Sequence, residues 1–126
     1  MGDIVVFGAT GYTGLLAVEA LAAAGRPPVL AGRVAARLEE VARRFPGTRT
    51  ATADATDPAS VRALVRRGDV LVSTVGPFVR HGEAALAAAV DAGAHYVDST
   101  GEAAVGLPAA SRARMSKVCV PTELAA

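Results

Sequence analysis

Short apolar runs alternate along the chain with longer stretches in which apolar residues recur at helical spacing. The runs predict five strands, near residues 4–7, 28–31, 48–53, 69–74 and 95–97. The stretches between them predict four helices, which begin near residues 12, 34, 58 and 82 and end at Gly25, Phe45, Gly68 and Gly93. Residues 109–117 and 118–120 carry weaker patterns, which predict a further helix and a short sixth strand.

The order of these elements predicts the fold. The first run, residues 4–7, is apolar throughout, which is typical of a parallel strand covered on both faces. Strands that alternate with helices through short connections indicate a parallel sheet with helices on both sides. We therefore expect residues 1–126 to form one α/β domain of the Rossmann type, a doubly wound parallel sheet with strand order 3-2-1-4-5. Its ligand cleft is expected at the carboxyl ends of the first and fourth strands.

A glycine turn follows the first strand, with Gly8, Gly11 and Gly14 three residues apart. Gly8 permits a tight turn, Gly11 lets the backbone approach a pyrophosphate, and Gly14 allows the next helix to pack closely on the strand. The amides of Thr10, Gly11, Tyr12 and Thr13 would then face an anion at a helix N-terminus. The pattern predicts a dinucleotide site, although its first gap is longer than in the G-x-G-x-x-G form. The alternative is a loop whose glycines serve tight packing alone.

Arg33 lies 19 residues beyond Gly14, where the adenosine ribose of a dinucleotide is expected. An acidic residue there would accept hydrogen bonds from the 2′-hydroxyl of NAD, whereas an arginine offers a charged fork to the 2′-phosphate of NADP. No Asp or Glu occurs between Ala20 and Leu38. We therefore predict NADP (NADPH) as the cofactor, with Arg37 as a second support. The alternative is that Arg33 is a solvated loop cation.

Two further loops are expected to line the cleft. Asp54, followed by Ala55, comes after the third strand and is placed to accept a hydrogen bond from the adenine amino group, or instead to cap a turn. The loop of residues 73–78, which contains Val75, Gly76 and Pro77, lies at the end of the fourth strand. Gly76 would allow the backbone to approach the nicotinamide half and Pro77 would hold the loop rigid; a plain strand-to-helix turn is the alternative.

Composition and charge narrow the class of protein. The net charge of +1 gives no electrostatic reason to expect nucleic acid or a membrane surface as a partner. The sequence contains neither a signal-peptide pattern nor a run of about 20 apolar residues that would span a bilayer. Because Cys119 is the only cysteine, a disulfide within one chain is impossible and a reducing cytoplasm is the expected location.

No residue is identified as a catalytic group from the sequence. Short-chain dehydrogenases use a tyrosine with a lysine four residues later, but Leu16 follows Tyr12 at that distance and Thr100 follows Tyr96. Tyr96 is expected to pack beside the fifth strand, and Asp98 to serve a turn there. His81 and His95 have no third partner at a metal-ligand spacing, so no metal site is expected.

Four ordered motifs together resemble a known family. They are the glycine turn of residues 8–14, residues 30–33, residues 73–83 with STVGPF at their start, and residues 95–102 with the sequence HYVDSTGE. They are similar to the N-terminal nucleotide-binding domain of saccharopine dehydrogenase-like oxidoreductases, and within that group to bacterial trans-acting enoyl reductases.

The resemblance covers residues 3–102 and implies an NADP-binding Rossmann domain. It implies cofactor contacts at the glycine turn, at Arg33 and at the loop of residues 75–77. It also implies that family members continue into a substrate and dimerisation domain, for which residues 103–126 are too short. The chain is therefore expected to be a truncated domain that binds a small-molecule substrate only with the missing part, and a homodimer is a further expectation.

Two functions follow from these patterns. The first is the NADP-binding domain of an oxidoreductase, which positions the nicotinamide for hydride transfer to a substrate bound elsewhere. The second is a regulatory module that binds NADP(H) without turnover. A remnant that folds without binding cofactor is the remaining alternative.

Overall fold

The computed structural model describes residues 2–75, 78–99 and 118–119. Its strands are β1 (Ile4–Phe7), β2 (Val29–Gly32), β3 (Arg49–Thr52), β4 (Val70–Ser73), β5 (His95–Asp98) and β6 (Val118–Cys119). Its helices are α1 (Tyr12–Ala23), α2 (Ala35–Arg44), α3 (Pro58–Arg62) and α4 (Phe78–Ala92). Strands and helices alternate from β1 to β5, as the hydrophobic pattern predicted.

The strands form one parallel sheet in the order β3-β2-β1-β4-β5-β6. In its centre Val5 of β1 lies opposite Val29 of β2 on one side and Leu71 of β4 on the other. The predicted Rossmann-type fold and the strand order 3-2-1-4-5 are confirmed, and β6 adds the short sixth strand beside β5.

The sheet is covered on both faces by separate apolar clusters. One cluster joins the sheet to α3 and α4 and includes Val5, Phe7, Val61, Leu71, Leu86 and Tyr96. The other joins it to α1 and α2 and includes Val6, Val18, Leu30, Leu38 and Val41. Since neighbouring side chains of a strand point to opposite faces, the uniformly apolar β1 serves both clusters.

Asp69 fastens the amino ends of the central strands. Its carboxylate, in a residue only 7% exposed, accepts hydrogen bonds from the amides of Asp3 (2.9 Å) and Arg66 (2.8 Å). Its main-chain carbonyl accepts one from the amide of His95 (2.8 Å). One residue therefore connects the starts of β1, β4 and β5. It lies at the amino ends of the strands, whereas the cleft is expected at their carboxyl ends.

Helix α3 is shorter than the sequence indicated. The predicted helix reached Gly68, but α3 ends at Arg62. The amide of Leu64 donates to the carbonyl of Val61 (3.0 Å), which closes a turn, and the Arg62 guanidinium donates to the carbonyl of Val65 (3.1 Å). Because Asp69 binds the Arg66 amide, the backbone there is committed to the loop before β4 and cannot continue the helix.

Other element boundaries also differ. Helix α4 begins at Phe78 rather than near residue 82, and Gly82 is buried within the helix rather than lying at its start. Strand β3 is shorter than the predicted strand of residues 48–53. The amide and hydroxyl of Thr48 both donate to the carbonyl of Phe45 and close a turn, so the strand begins only after Thr48. Asp57 and Pro58 begin α3 as expected, although the Asp57 side chain forms no capping hydrogen bond within that described segment.

Tyr96 of β5 is buried in the cluster that joins the sheet to α3 and α4, and it is 3% exposed. Burial raises the pKa of its phenol well above the ordinary value, and the charge and hydrogen bond of the Asp98 carboxylate act in the same direction. The Ser73 hydroxyl opposes them with the smallest effect. The buried Ser73 Oγ forms no hydrogen bond within the described part of the chain, so its opposing effect on the pKa of Tyr96 is weak.

Replacing Asp69 tests the hydrogen bonds that its carboxylate accepts at the amino ends of the strands. Asp69→Ala should lower the free energy of unfolding by about 2–3 kcal/mol, since two part-buried amides lose a charged acceptor. Asp69→Asn keeps one acceptor oxygen but turns an NH2 donor toward the other amide, so it should also lower the free energy of unfolding, by about 1–3 kcal/mol. Urea unfolding measures both, and the exposed Glu19→Ala on α1 is the control, with an expected change within about 0.5 kcal/mol. Equal stability of Asp69→Ala and the control would contradict the role of this carboxylate.

Tyr96 predicts a loss of stability in alkali. An unfolded tyrosine loses its proton above its ordinary pKa of about 10, whereas the folded chain keeps it. The free energy of unfolding should therefore fall as the pH rises through about 10, by up to about 1.4 kcal/mol per pH unit from this group. Tyr96→Phe should lack that part of the slope in urea titrations at several pH values.

Phenolate absorbance gives an independent measurement of the same effect. The chain contains two tyrosines, so Tyr12→Phe leaves Tyr96 as the only phenol. Its phenolate absorbance should appear only together with loss of the far-ultraviolet circular dichroism. Ionisation of Tyr96 in a chain with native dichroism, near pH 10, would show that the phenol is not held neutral by the fold.

Candidate functional site

A cleft of about 320 Å³ lies at the carboxyl ends of β1, β2 and β4. It is lined by Phe7, Gly8, Thr10, Gly11, Gly32, Arg33, Asp54, Ala55, Thr56, Thr74 and Val75. This volume is near the lower end of the range of about 300–1,000 Å³ for ligand pockets. The cleft occupies the position that the reversal of strand order predicts.

The glycine turn forms one side of this cleft. Gly8 has a φ of +99°, which a residue with a side chain rarely adopts, and its carbonyl accepts a hydrogen bond from the amide of Gly11 (3.0 Å). A Cβ built on Gly14 would overlap the Gly8 carbonyl oxygen. The backbone conformation therefore requires glycine at residue 8, and close packing requires it at residue 14.

Gly11 has a different reason to be glycine. A Cβ built there would have only the Gly8 carbonyl oxygen nearby, at 3.5 Å, which is an ordinary contact. Gly11 nevertheless lines the cleft, so a side chain at this position would enter the space that a ligand needs. This geometry fits the approach of a pyrophosphate to bare backbone.

The N-terminus of α1 faces the same region, with Gly11 as its N-cap. The first amides of a helix lack intrahelical acceptors and carry the positive end of its dipole. One part of the sequence prediction needs correction: among the amides of residues 10–13, that of Gly11 donates within the loop to Gly8. The amides of Thr10, Tyr12 and Thr13 are the remaining candidates for binding an anion.

Arg33 follows β2 and lines the same cleft as the glycine turn. Its side chain is exposed, and within the described part of the chain it forms neither an ion pair with an acidic residue nor a hydrogen bond to another side chain. No acidic residue in the ranges 2–75, 78–99 and 118–119 therefore neutralises its charge. This arrangement fits the 2′-phosphate of NADP, which a guanidinium binds through charge-assisted hydrogen bonds.

The sequence left two alternative roles for Asp54, adenine binding and capping a turn. In the structure Asp54 caps a turn. Its Oδ1 accepts hydrogen bonds from the amide (2.8 Å) and the hydroxyl (2.7 Å) of Thr56. The Asp54 amide donates to the hydroxyl oxygen of Ser60 (2.9 Å). The turn holds Asp54, Ala55 and Thr56 along the cleft, and a contact between Asp54 and adenine stays a prediction.

The structure brings together seven of the twelve residues that the sequence predicted for the cofactor: Gly8, Thr10, Gly11, Arg33, Asp54, Ala55 and Val75. Gly14 is buried behind the turn, and the Tyr12 side chain is 83% exposed. Tyr12, Thr13 and Gly14 do not line the cleft. Gly76 and Pro77 lie outside the described residues. Contacts of all twelve with the cofactor stay predictions.

Sequence reasoning missed Thr56, and it included Thr74 in a loop expected to line the cleft without predicting the contacts of the Thr74 hydroxyl. Thr56 has a local signal, because an Asp two residues before a Thr is typical of an Asx turn. Thr74 directly follows β4, and its hydroxyl lies 3.1 Å from the carbonyl oxygen of Phe7 and 3.3 Å from that of Gly8. A contact between residues 66 positions apart has no local sequence signal.

No group of three or more His, Cys, Asp or Glu side chains is arranged to hold a metal ion in residues 2–75, 78–99 and 118–119. None of the helices in those ranges has the length and apolarity needed to cross a membrane.

A parallel sheet with a glycine turn leading into a helix, and a cleft where the strand order reverses, defines a dinucleotide-binding domain. The family model described as the saccharopine dehydrogenase NADP binding domain matches residues 4–121. The chain belongs to this family of NADP-binding domains. The predicted family and the predicted cofactor, NADP, are confirmed.

Curated relatives are similar over most of the chain. The trans-acting enoyl reductase of Mycobacterium bovis (strain BCG / Pasteur 1173P2) is 42% identical over 107 residues, which cover 79% of this chain. That of Mycobacterium ulcerans (strain Agy99) is 37% identical over 109 residues with the same coverage. In both cases the match covers 25% of the relative, so the chain spans about a quarter of the length of these proteins.

Solved structures show the same fold. The Citrobacter sp. triphenylmethane reductase complexed with NADP(H) superimposes with a TM-score of 0.66 at 24% identity, covering 77% of this chain and 36% of that one. Apo saccharopine dehydrogenase (L-Glu forming) from Saccharomyces cerevisiae gives 0.68 at 20% identity, covering 90% of this chain and 24% of that one.

Arg33→Ala tests the 2′-phosphate contact. Loss of a charge-assisted hydrogen bond worth about 1.5–3 kcal/mol should raise the Kd for NADP by about 10- to 100-fold and change the Kd for NAD little. Isothermal titration calorimetry with both dinucleotides measures the difference. Arg43→Ala removes an exposed cation of α2 that does not line the cleft and is the matched control. Equal losses for NADP and NAD would contradict the specificity argument.

Proposed function

We propose that the chain is the cofactor domain of an NADP-dependent oxidoreductase, in which it positions the nicotinamide for hydride transfer to a substrate bound elsewhere. The observation that carries the proposal is the pairing, in one cleft, of a glycine turn at a helix N-terminus with a guanidinium that has no neutralising partner in the described part of the chain. These two features suit the pyrophosphate and the 2′-phosphate of one NADP molecule.

Each residue has a stated task in this proposal. The amides of Thr10, Tyr12 and Thr13 bind the pyrophosphate, and Arg33 binds the 2′-phosphate with Arg37 as a second support. Thr56 and Asp54 form the wall beside the adenine. When bound, the nicotinamide supplies the hydride chemistry, so the task of this chain is to bind and orient the cofactor. Residues 75–77 are proposed to border the nicotinamide half.

The substrate class is proposed from the relatives. Two curated relatives are named trans-acting enoyl reductases, and we infer that a complete protein containing this domain reduces an enoyl group, a carbon–carbon double bond conjugated to a carbonyl. The reductase relatives favour this function over a module that only senses NADP(H). The substrate would be bound by a further domain, because the chain spans a quarter of the relatives' length.

Three other expectations stay predictions: that residues 1–126 are a truncated domain, that it forms a homodimer, and that it acts in the cytoplasm. The parallel sheet extends from β3 at one edge to β6 at the other. An open sheet edge can pair with a second copy, which supports the homodimer. Light scattering coupled to size-exclusion chromatography would measure the mass.

Calorimetry with NADPH, NADP and NAD tests the proposed function directly. The chain should bind NADPH and NADP at least tenfold more tightly than NAD, because only the first two carry the 2′-phosphate. The absence of heat with all three dinucleotides would instead indicate a remnant that folds without binding.

Turnover separates the oxidoreductase from the sensing module. NADPH oxidation should be measured with enoyl and carbonyl substrates, using this chain alone and a polypeptide of the relatives' length that contains it. We expect oxidation of NADPH only with the longer polypeptide and an enoyl substrate. Tight NADPH binding without oxidation by either polypeptide would favour the sensing module.

A further inference from the structure

Thr74 directly follows β4 and contacts the glycine turn. Its amide donates to the carbonyl of Phe7 (2.9 Å) and thereby extends the pairing of β4 with β1. Its hydroxyl oxygen lies within hydrogen-bond distance of two carbonyl oxygens on the neighbouring segment, those of Phe7 and Gly8. The single hydroxyl proton is thus shared between the last residue of β1 and the first residue of the glycine turn.

The first and last glycines of the turn leave the space that this hydroxyl occupies. A Cβ built on Gly8 would lie 2.5 Å from Thr74 Oγ1, and one built on Gly14 would lie 2.9 Å from the same atom. Both distances are shorter than the separation of about 3.5–4.0 Å at which nonbonded atoms attract. The absence of side chains at Gly8 and Gly14 therefore serves the Thr74 contact as well as the turn and the helix.

The Gly8 carbonyl is the point where these contacts meet. It accepts the Gly11 amide (3.0 Å) inside the turn and the Thr74 hydroxyl (3.3 Å) from the neighbouring strand, and the backbone of Gly14 packs against it. The hydrogen bond from Gly11 lies within the turn, whereas the hydrogen bond from Thr74 joins the turn to β4. A hydroxyl that fixes this carbonyl from outside the turn consequently fixes the turn relative to β4.

Thr74 also begins the segment that leaves β4 along the cleft. Thr74 and Val75 line the cleft together with Gly8, Thr10 and Gly11. In the proposed function this segment leads to the nicotinamide half of the cofactor, whereas the glycine turn binds the pyrophosphate. Thr74 is the described side chain that hydrogen-bonds from one segment to the other.

We propose that Thr74 is a positioning residue: its hydroxyl fixes the glycine turn to the end of β4 and so aligns the two halves of the NADP(H) site. The proposal rests on the proposed function. It predicts that the hydroxyl matters for a ligand that spans both segments and matters little for a ligand confined to the adenosine half.

The test compares NADPH with 2′,5′-ADP, which carries the 2′-phosphate but no nicotinamide. Thr74→Val keeps the shape of the side chain and removes the hydroxyl. It should raise the Kd for NADPH by about three- to tenfold, the range expected for loss of one hydrogen bond, and leave the Kd for 2′,5′-ADP within about twofold. Thr74→Ser keeps the hydroxyl and should bind NADPH within about twofold of the wild type.

The fluorescence of bound NADPH supplies a readout that a loss of stability alone would not move. At saturating NADPH, the shift of nicotinamide emission should be reduced in Thr74→Val and retained in Thr74→Ser. Thr74→Ala is a second variant without the hydroxyl and should behave like Thr74→Val. Binding of 2′,5′-ADP reports for each variant that the adenosine half is folded.

Several results would overturn the proposal. They are unchanged NADPH binding in Thr74→Val, equal losses for NADPH and 2′,5′-ADP, or a defect in Thr74→Ser as large as that in Thr74→Val. These leave the proposed function intact, because the wild type binds NADPH in each of them. Failure of the wild-type chain to bind NADPH would overturn the proposed function and this inference together.

Discussion

The contact between the backbone of Gly14 and the carbonyl of Gly8 is the constraint on which the site depends. No side chain fits between them, since a Cβ on Gly14 would overlap that carbonyl oxygen. Helix α1 therefore begins directly against the end of β1, and one turn later Val18 is fully buried among the residues that join α1 and α2 to the sheet. The same close approach aims the helix N-terminus, with its positive dipole, at the mouth of the cleft.

The two ends of the central strands have different tasks. At the amino ends, Asp69 uses its carboxylate and its carbonyl to bind the amides of Asp3, Arg66 and His95. Those amides are thereby occupied by the protein. At the carboxyl ends, the amides of Tyr12 and Thr13 and the guanidinium of Arg33 have no hydrogen-bond partner in the described part of the chain. A parallel sheet produces this asymmetry because all its strands point the same way. Their carboxyl ends therefore lie together, and the loops that follow them can bind a ligand.

The sequence was sufficient where a signal is local. Apolar runs indicated β1, β4 and β5, and the alternation with helices predicted the strand order, since few topologies satisfy right-handed crossovers. The glycine spacing located the turn, and residue counting located Arg33. The sequence was insufficient where a contact is long-range. Asp69 ends α3 early by binding the Arg66 amide, and Thr74 reaches Gly8 across 66 positions; neither partner is visible from periodicity or spacing.

Arg33 and Arg49 carry the same charge and differ in their position in the fold. Arg49 forms an ion pair with Asp3 at 2.8 Å, but both side chains are more than half exposed and the pair lies at the amino ends of the strands. Such a pair contributes little, because water already solvates both charges. Arg33 is also exposed, yet it lines the same cleft as the glycine turn and has no acidic partner among the described residues. In the proposed function, a phosphate that enters this cleft would pair with a guanidinium that has no acidic partner in the described ranges, so the free energy of the new ion pair would contribute to binding rather than to replacing an existing pair.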